Sequence, residues 1–66
     1  MPSSVIKRYL YDATRQELVI ELVSGKSYVY EDVPREAYDA FLAAPSKGAH
    51  YNAEIRDVFY FRPLNT

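Results

Sequence analysis

Leu18 to Tyr30 reads LVIELVSGKSYVY, and its period leaves the backbone few choices. Successive side chains of an extended strand point to opposite faces, so Leu18, Ile20 and Leu22 share one face while Val19, Glu21 and Val23 take the other. Tyr28 and Tyr30 repeat the alternation after a break at Ser24-Gly25. Glycine enters positive φ without a Cβ clash, as the tight connections of two-stranded hairpins require, so the two runs are predicted to pair antiparallel around that break. The hairpin's apolar face then needs cover, and the rest of the chain has to supply it.

The supply is small. A chain of 66 residues is read as one domain, 1–66, and such a domain buries only about 60% of the surface that its unfolded chain exposes. With no cysteine, packing has to hold the fold without disulfides or thiolate-bound metal, which suits a reducing cytoplasm, the expected location. Hydrophobic residues make up 48% of the chain, including seven tyrosines, so a packed core is expected rather than disorder. Eight basic residues stand against nine acidic ones, a formal charge of -1, which argues against a protein whose main work is gripping a polyanion. No run approaches the roughly 18 apolar residues of a membrane span, and Met1-Pro2-Ser3-Ser4 lacks the apolar core of a signal peptide, so no membrane partner is expected.

Val5 to Asp12 is a β-rich segment in which Tyr9 and Tyr11 share a face. Ile6 falls out of phase with them. Either Ile6 and Leu10 face the core, or a bulge between Ile6 and Tyr9 turns Ile6, Tyr9 and Tyr11 inward together. The polar stretch Asp12 to Gln16 should reverse this strand onto Leu18 to Val23 and complete a three-stranded antiparallel meander. Beyond Tyr30, Pro34 with its acidic neighbours marks a helix start, with Pro34 in the first turn. Ala37, Tyr38, Phe41 and Leu42 form one apolar stripe, and Arg35, Glu36, Asp39 and Ala40 face water. Pro45 ends this helix, and Ser46 is placed to cap a shorter second one running to about Ala53. From Ile55 the large residues alternate, with Ile55, Asp57, Phe59 and Phe61 opposite Val58 and Tyr60. A short C-terminal edge strand or extended arm ending at Pro63 is predicted. The fold class is α+β: the meander packed against one main helix, a short second helix, and the C-terminal strand or arm.

The order and spacing of certain residues resemble the KTSC family, small domains of about sixty residues found alone in bacteria and phages and at the C-terminus of some lysyl-tRNA synthetases. The carriers are Ser3-Ser4, Ile6, Tyr11-Asp12, Ser24-Gly25, Tyr28-Val29-Tyr30, Val33-Pro34, Tyr38, Ser46, Gly48, Tyr51-Asn52 and Ile55-Arg56. Phe59 and Phe61 stand where the family tends to have tyrosine, and Val29 where a basic or polar residue is more usual. The resemblance implies a domain of unestablished function with RNA as a candidate partner, and it marks Tyr28, Tyr30, Pro34, Tyr38, Tyr51 and Ile55 as motif positions, to which the helix stripe adds Phe41 as core.

Two readings of function follow. The first is a non-catalytic nucleic-acid-binding module that uses Lys26, Ser46, Lys47, Gly48, His50, Asn52, Arg56 and Arg62. Ser46 opening a helix would leave free backbone N–H groups which, with Lys47 and Gly48, could hold a phosphate, whereas the plainer alternative is a capped helix with Asn52 satisfying backbone groups. Tyr28 and Tyr30 could present a stacking platform, but their register with Leu18, Ile20 and Leu22 favours the core. The second reading is a protein-binding or self-associating module, built on an outward face of Val19, Val23 and Val29 or on the C-terminal aromatic arm. Catalysis has little support. Ser46 and His50 could touch across one helical turn, but a nucleophile also needs an oriented base and an oxyanion pocket. One histidine and no cysteine leave only carboxylates as metal ligands, no Asp or Glu cluster has ligand spacing, and neither metal nor cofactor is expected.

Overall fold

The computed structural model describes residues 5–64, which form strands β1 (Ile6–Asp12), β2 (Glu17–Leu22) and β3 (Ser27–Tyr30), helices α1 (Arg35–Ala43) and α2 (Lys47–His50), a π-helical segment (Tyr51–Ile55) and strand β4 (Phe61–Pro63). Ser3 and Ser4 lie outside the described residues. The strands make one antiparallel sheet in the order β1-β2-β3-β4, so the fold is the expected α+β meander with the C-terminal strand added at its far edge.

Each turn has a local cause. At Val23-Ser24-Gly25 the Gly25 N–H donates to Leu22 O at 2.9 Å, and Gly25 takes φ 101°, the left-handed conformation that closes a three-residue hairpin loop. Between β1 and β2 the Asp12 carboxylate accepts the Thr14 and Arg15 N–H groups, so this side chain caps the turn. A register shift between Ile6 and Arg8 is the bulge, the second of the two alternatives open for this strand. Ile6 lies opposite Leu22, Tyr9 opposite Ile20 and Tyr11 opposite Leu18, which puts the three β1 residues on the core face.

The core is Leu18, Ile20, Tyr30, Val33, Phe41, Tyr51 and Ile55 with Ile6 at its margin. Helix α1 covers the β1 side of the sheet by aromatic contact. Tyr38 stacks on Tyr11 at 4.4 Å between ring centroids, and Phe41 meets Tyr9 edge to face at 5.1 Å. The Tyr11 hydroxyl donates to Val33 O at 2.7 Å and ties the approach to α1 to the sheet.

Four expectations need correction. Pro34 precedes the helix instead of occupying its first turn. Its extended ψ of 158° leaves it as the cap, and its carbonyl accepts the Ala37 and Tyr38 N–H groups. Leu42 does not reach the sheet and is 39% exposed, because it stands about 100° further round the helix than Phe41, beyond the contact made with Tyr9 and Tyr11. Ile55 belongs to the second helical stretch, not to the final strand. The Arg56 N–H donates to Tyr51 O, five residues back, so one wide turn carries the helix past Ala53 and the chain enters the sheet only at Phe61.

Val29 is the fourth. Expected to face outward, it is buried to 3% exposure. The addition of β4 makes β3 an interior strand and sets Arg62 opposite Val29. The Arg62 guanidinium reaches Glu31 at 2.8 Å and Glu17 on β2 at 3.4 Å. To span from β4 to β2 its side chain crosses β3, and its aliphatic stem covers Val29. Val19 is half-buried while Val23 is exposed, so the three valines do not form one continuous patch.

Phe41→Ala should cost about 3–5 kcal/mol, a large share of what a domain this small has to spare. Urea unfolding followed by circular dichroism should show a far lower midpoint or no cooperative transition. Arg62→Ala uncovers Val29 and breaks two solvent-screened ion pairs, and its expected loss in the same measurement is about 1 kcal/mol.

Candidate functional site

A half-open concavity of about 380 Å³ lies where β3 and β4 meet the π-helical segment. Tyr30 and Tyr51 are its most buried members, Tyr28 and Phe61 contribute further rings, and Val5 and Leu22 line it from the start of β1 and the end of β2. Asn52, Arg56 and Asp57 bring the polar groups, all from exposed positions. The backbone explains the assembly. Tyr28 and Tyr30 sit two apart on β3 and share its core face, and β4 pairs Phe61 with Tyr30. The wide turn places Tyr51 and Ile55 inward and Asn52 and Arg56 outward, each pair four residues apart.

The rings form a continuous cluster. Phe61 meets Tyr28 edge to face at 5.4 Å and Tyr30 at 5.5 Å, while Tyr30 meets Tyr51 edge to face at 5.7 Å. The Tyr30 and Tyr51 hydroxyls share a buried hydrogen bond, so neither phenol is left unsatisfied in the core. Burial raises the pKa of Tyr30 strongly above its ordinary value, and the bond to Tyr51 adds to the shift, since both favour the neutral phenol. Arg56 Nη1 donates to Asn52 Oδ1 at 3.4 Å, which leaves the rest of the guanidinium and the Asn52 amide N–H groups facing solvent. Asp57 has neither a hydrogen bond nor an ion pair among the described residues.

Of the positions proposed from sequence for nucleic acid, Asn52 and Arg56 line this concavity and the other six do not. The Ser46 hydroxyl accepts the Ala49 N–H at 3.2 Å and is occupied in capping the four-residue α2. Gly48 is buried, and His50 packs its ring 6.1 Å from Phe41. Lys47 is half-buried at the start of α2, away from the rings. Lys26 lines a second half-open depression of about 490 Å³, with Gly25, Ser27, Pro63 and the other side of Tyr28. Arg62 is engaged on the opposite sheet face by Glu31 and Glu17.

Sequence reasoning missed Phe61, Asp57, Val5 and Leu22 as lining residues, and for Tyr28 and Tyr30 it set the core above a stacking platform, whereas they are core-face residues that also line the concavity. The helical spacing of Asn52 and Arg56 was the available signal. The partnership with Phe61 depends on the pairing of β3 with β4, which no local pattern announces.

The family model for the KTSC domain matches residues 2–60. A lysine–tRNA ligase of Nostoc punctiforme is 42% identical over 62 residues, covering 94% of this chain but 11% of the ligase. An uncharacterized protein of Stutzerimonas stutzeri is 38% identical over 60 residues, 91% of this chain and 84% of that one. Among solved structures, the KTSC domain protein of Yersinia pestis superposes with a TM-score of 0.78 at 32% identity, covering 98% of this chain and 94% of the other.

Tyr30→Phe leaves the Tyr51 hydroxyl buried without its partner and should cost about 1–3 kcal/mol, while Tyr30→Phe/Tyr51→Phe should cost less than the two single changes added together. Urea unfolding of the four proteins checks this. The raised Tyr30 pKa also sets a pH dependence. Unfolded, the phenol loses its proton near its ordinary 10.0, whereas folded it keeps it to higher pH. Stability from this group is therefore complete below that pH and falls above it, by about 1.4 kcal/mol per pH unit for one proton. Between about pH 9 and pH 11 the native protein should lose stability more steeply than Tyr30→Phe, which lacks the ionisable group.

Proposed function

The chain belongs to the KTSC domain family, and from that membership and the site we propose that it is a non-catalytic module that binds single-stranded RNA. The observation that carries this reading is the convergence of Tyr28, Tyr30, Tyr51 and Phe61 with Asn52 and Arg56 on one half-open concavity. Single-stranded RNA is recognised by rings that stack on unpaired bases and by side chains that bond to base edges; here the half-buried Tyr28 and the exposed Phe61 offer ring surface over the buried Tyr30 and Tyr51, and Asn52 and Arg56 offer the polar groups. Similar chains occur within lysine–tRNA ligases, whose name ties them to an RNA substrate.

The charge distribution favours bases over backbone. Lys7 and Arg8 pair with Glu21, Arg35 with Asp39, and Arg62 with Glu31 and Glu17. Half of the eight cations are thus neutralised by neighbours, and Arg56 is the cation that lines the concavity. A duplex grip based on many phosphate contacts does not suit this surface.

Titration of the 15N-labelled protein with a mixed-sequence single-stranded RNA at low salt should shift the amides of Tyr28, Tyr30, Tyr51 to Asp57 and Phe61. The affinity should fall only gently with salt, with a log–log slope of roughly -0.7 to -1.4 for one or two phosphates. Arg56→Ala should weaken binding about tenfold, and Arg62→Ala, on the other sheet face, should leave it within about twofold. Absence of shifts at millimolar RNA, or shifts confined to the Lys47 end of α2, would overturn the reading.

A further inference from the structure

We infer that the concavity selects an unpaired guanine, read through its Watson–Crick edge by the Asp57 carboxylate with Arg56 and Asn52 as donors. This rests on the RNA-binding reading above and names the base that it would accept.

The first observation is the pairing of opposite charges on one rim. Arg56 and Asp57 are consecutive, both are exposed, and both line the concavity. A cation alone would suit a phosphate. With a carboxylate beside it the local charge sums to zero, and a phosphate dianion or diester drawn to Arg56 meets repulsion from Asp57. A neutral ring carrying donors on one part of its edge and acceptors on another meets no such penalty. Nucleobases have that character, and the volume of about 380 Å³ accommodates one with space for its sugar.

The second observation is which polar atoms remain available. Asp57 has no hydrogen bond or ion pair among the described residues, so both carboxylate oxygens are open as acceptors. Arg56 spends one nitrogen on Asn52 Oδ1, a bond that holds the guanidinium at the rim and leaves its other N–H groups and the Asn52 amide N–H groups as donors. A carboxylate with two open oxygens fits two adjacent N–H donors. Guanine alone among the four RNA bases has them, at N1 and the exocyclic N2, and its O6 and N7 accept from Arg or an amide. Adenine and cytosine place a ring acceptor beside their amino group, and uracil sets its single N–H between two carbonyls. Each of these turns a lone pair toward Asp57. An edge already paired in a duplex is closed to such contacts, which restricts the site to single strands.

Tyr28 and Phe61, the two rings not closed off in the core, supply the remaining binding without choosing among bases, since every base has a π face. Selectivity therefore lies in Asp57, Arg56 and Asn52.

The test uses fluorescein-labelled single-stranded uridine heptamers carrying one central G, inosine, A or C, with affinity read by fluorescence anisotropy. Inosine lacks only the N2 amino group, so it removes one of the two bonds to Asp57 without altering the protein. The G oligomer should bind best, inosine about tenfold more weakly, and A and C more weakly still. Asp57→Asn, at an exposed position, should keep the native urea midpoint and bring G and inosine within about twofold of each other. Equal affinities for G, A and C would overturn the guanine inference and leave the RNA-binding reading standing. No binding of any oligomer would overturn both.

Discussion

Everything in this domain is hung from Tyr30. It is 1% exposed, and its ring touches Tyr28 on its own strand, Phe61 on β4 and Tyr51 on the π-helical segment. A phenol that deep has to find a hydrogen-bond partner inside the protein, because an unsatisfied hydroxyl costs as much as the burial of several methylenes gains. Tyr51 is the partner. The bond joins the middle of the sheet to the second helical stretch, which otherwise touches the sheet through apolar packing, and packing alone tolerates sliding. A directional bond at the centre fixes where that stretch sits, and with it the positions of Asn52 and Arg56 on its outer side.

A sheet of four short strands has two faces, and the chain covers them by different means. On the helix side, Tyr38 and Phe41 cover the β1 end while Tyr51 and Ile55 cover the β3 end, an arrangement rich in tyrosine because each ring buries apolar area and still places its hydroxyl. On the other side no helix is present among the described residues. There Arg62 lies across β3 between two glutamates and shields Val29 with its methylenes, while Leu10 on the same face stays exposed. The concavity lies where neither cover reaches, at the gap between β4 and the wide helical turn.

How much of this could be read along the chain varies by residue. The hairpin was legible because strand alternation and a glycine turn are local, and Gly25 adopts the positive φ anticipated for it. The bulge at Ile6 was legible because only a phase shift brings Ile6, Tyr9 and Tyr11 to one face. Ser46 was legible as a helix cap by its place after Pro45. Leu42 misled because a two-residue-wide apolar stripe is broader than the contact that a nine-residue helix makes with a sheet edge. Val29 misled because alternation tells which face a side chain points to and not whether that face is covered. The cover comes from Arg62, thirty-three positions away, through a strand pairing without a local signature. Ile55 misled for a related reason: its alternation with Asp57, Phe59 and Phe61 is compatible with a strand, and a wide turn absorbed it into a helix instead.

The hairpin Leu18 to Tyr30 contained, in sequence alone, its own pairing, its inward face and the family pattern of its two tyrosines, because strand period and turn chemistry act within a few residues. The same sequence could not say that Tyr30 would meet Tyr51, that Phe61 would lie beside it, or that Arg56 and Asp57 would open onto the gap between them. Those outcomes depend on which strand adds to the edge of β3 and on where one helical turn widens. Long-range packing chooses among these options, since each local segment is satisfied by more than one.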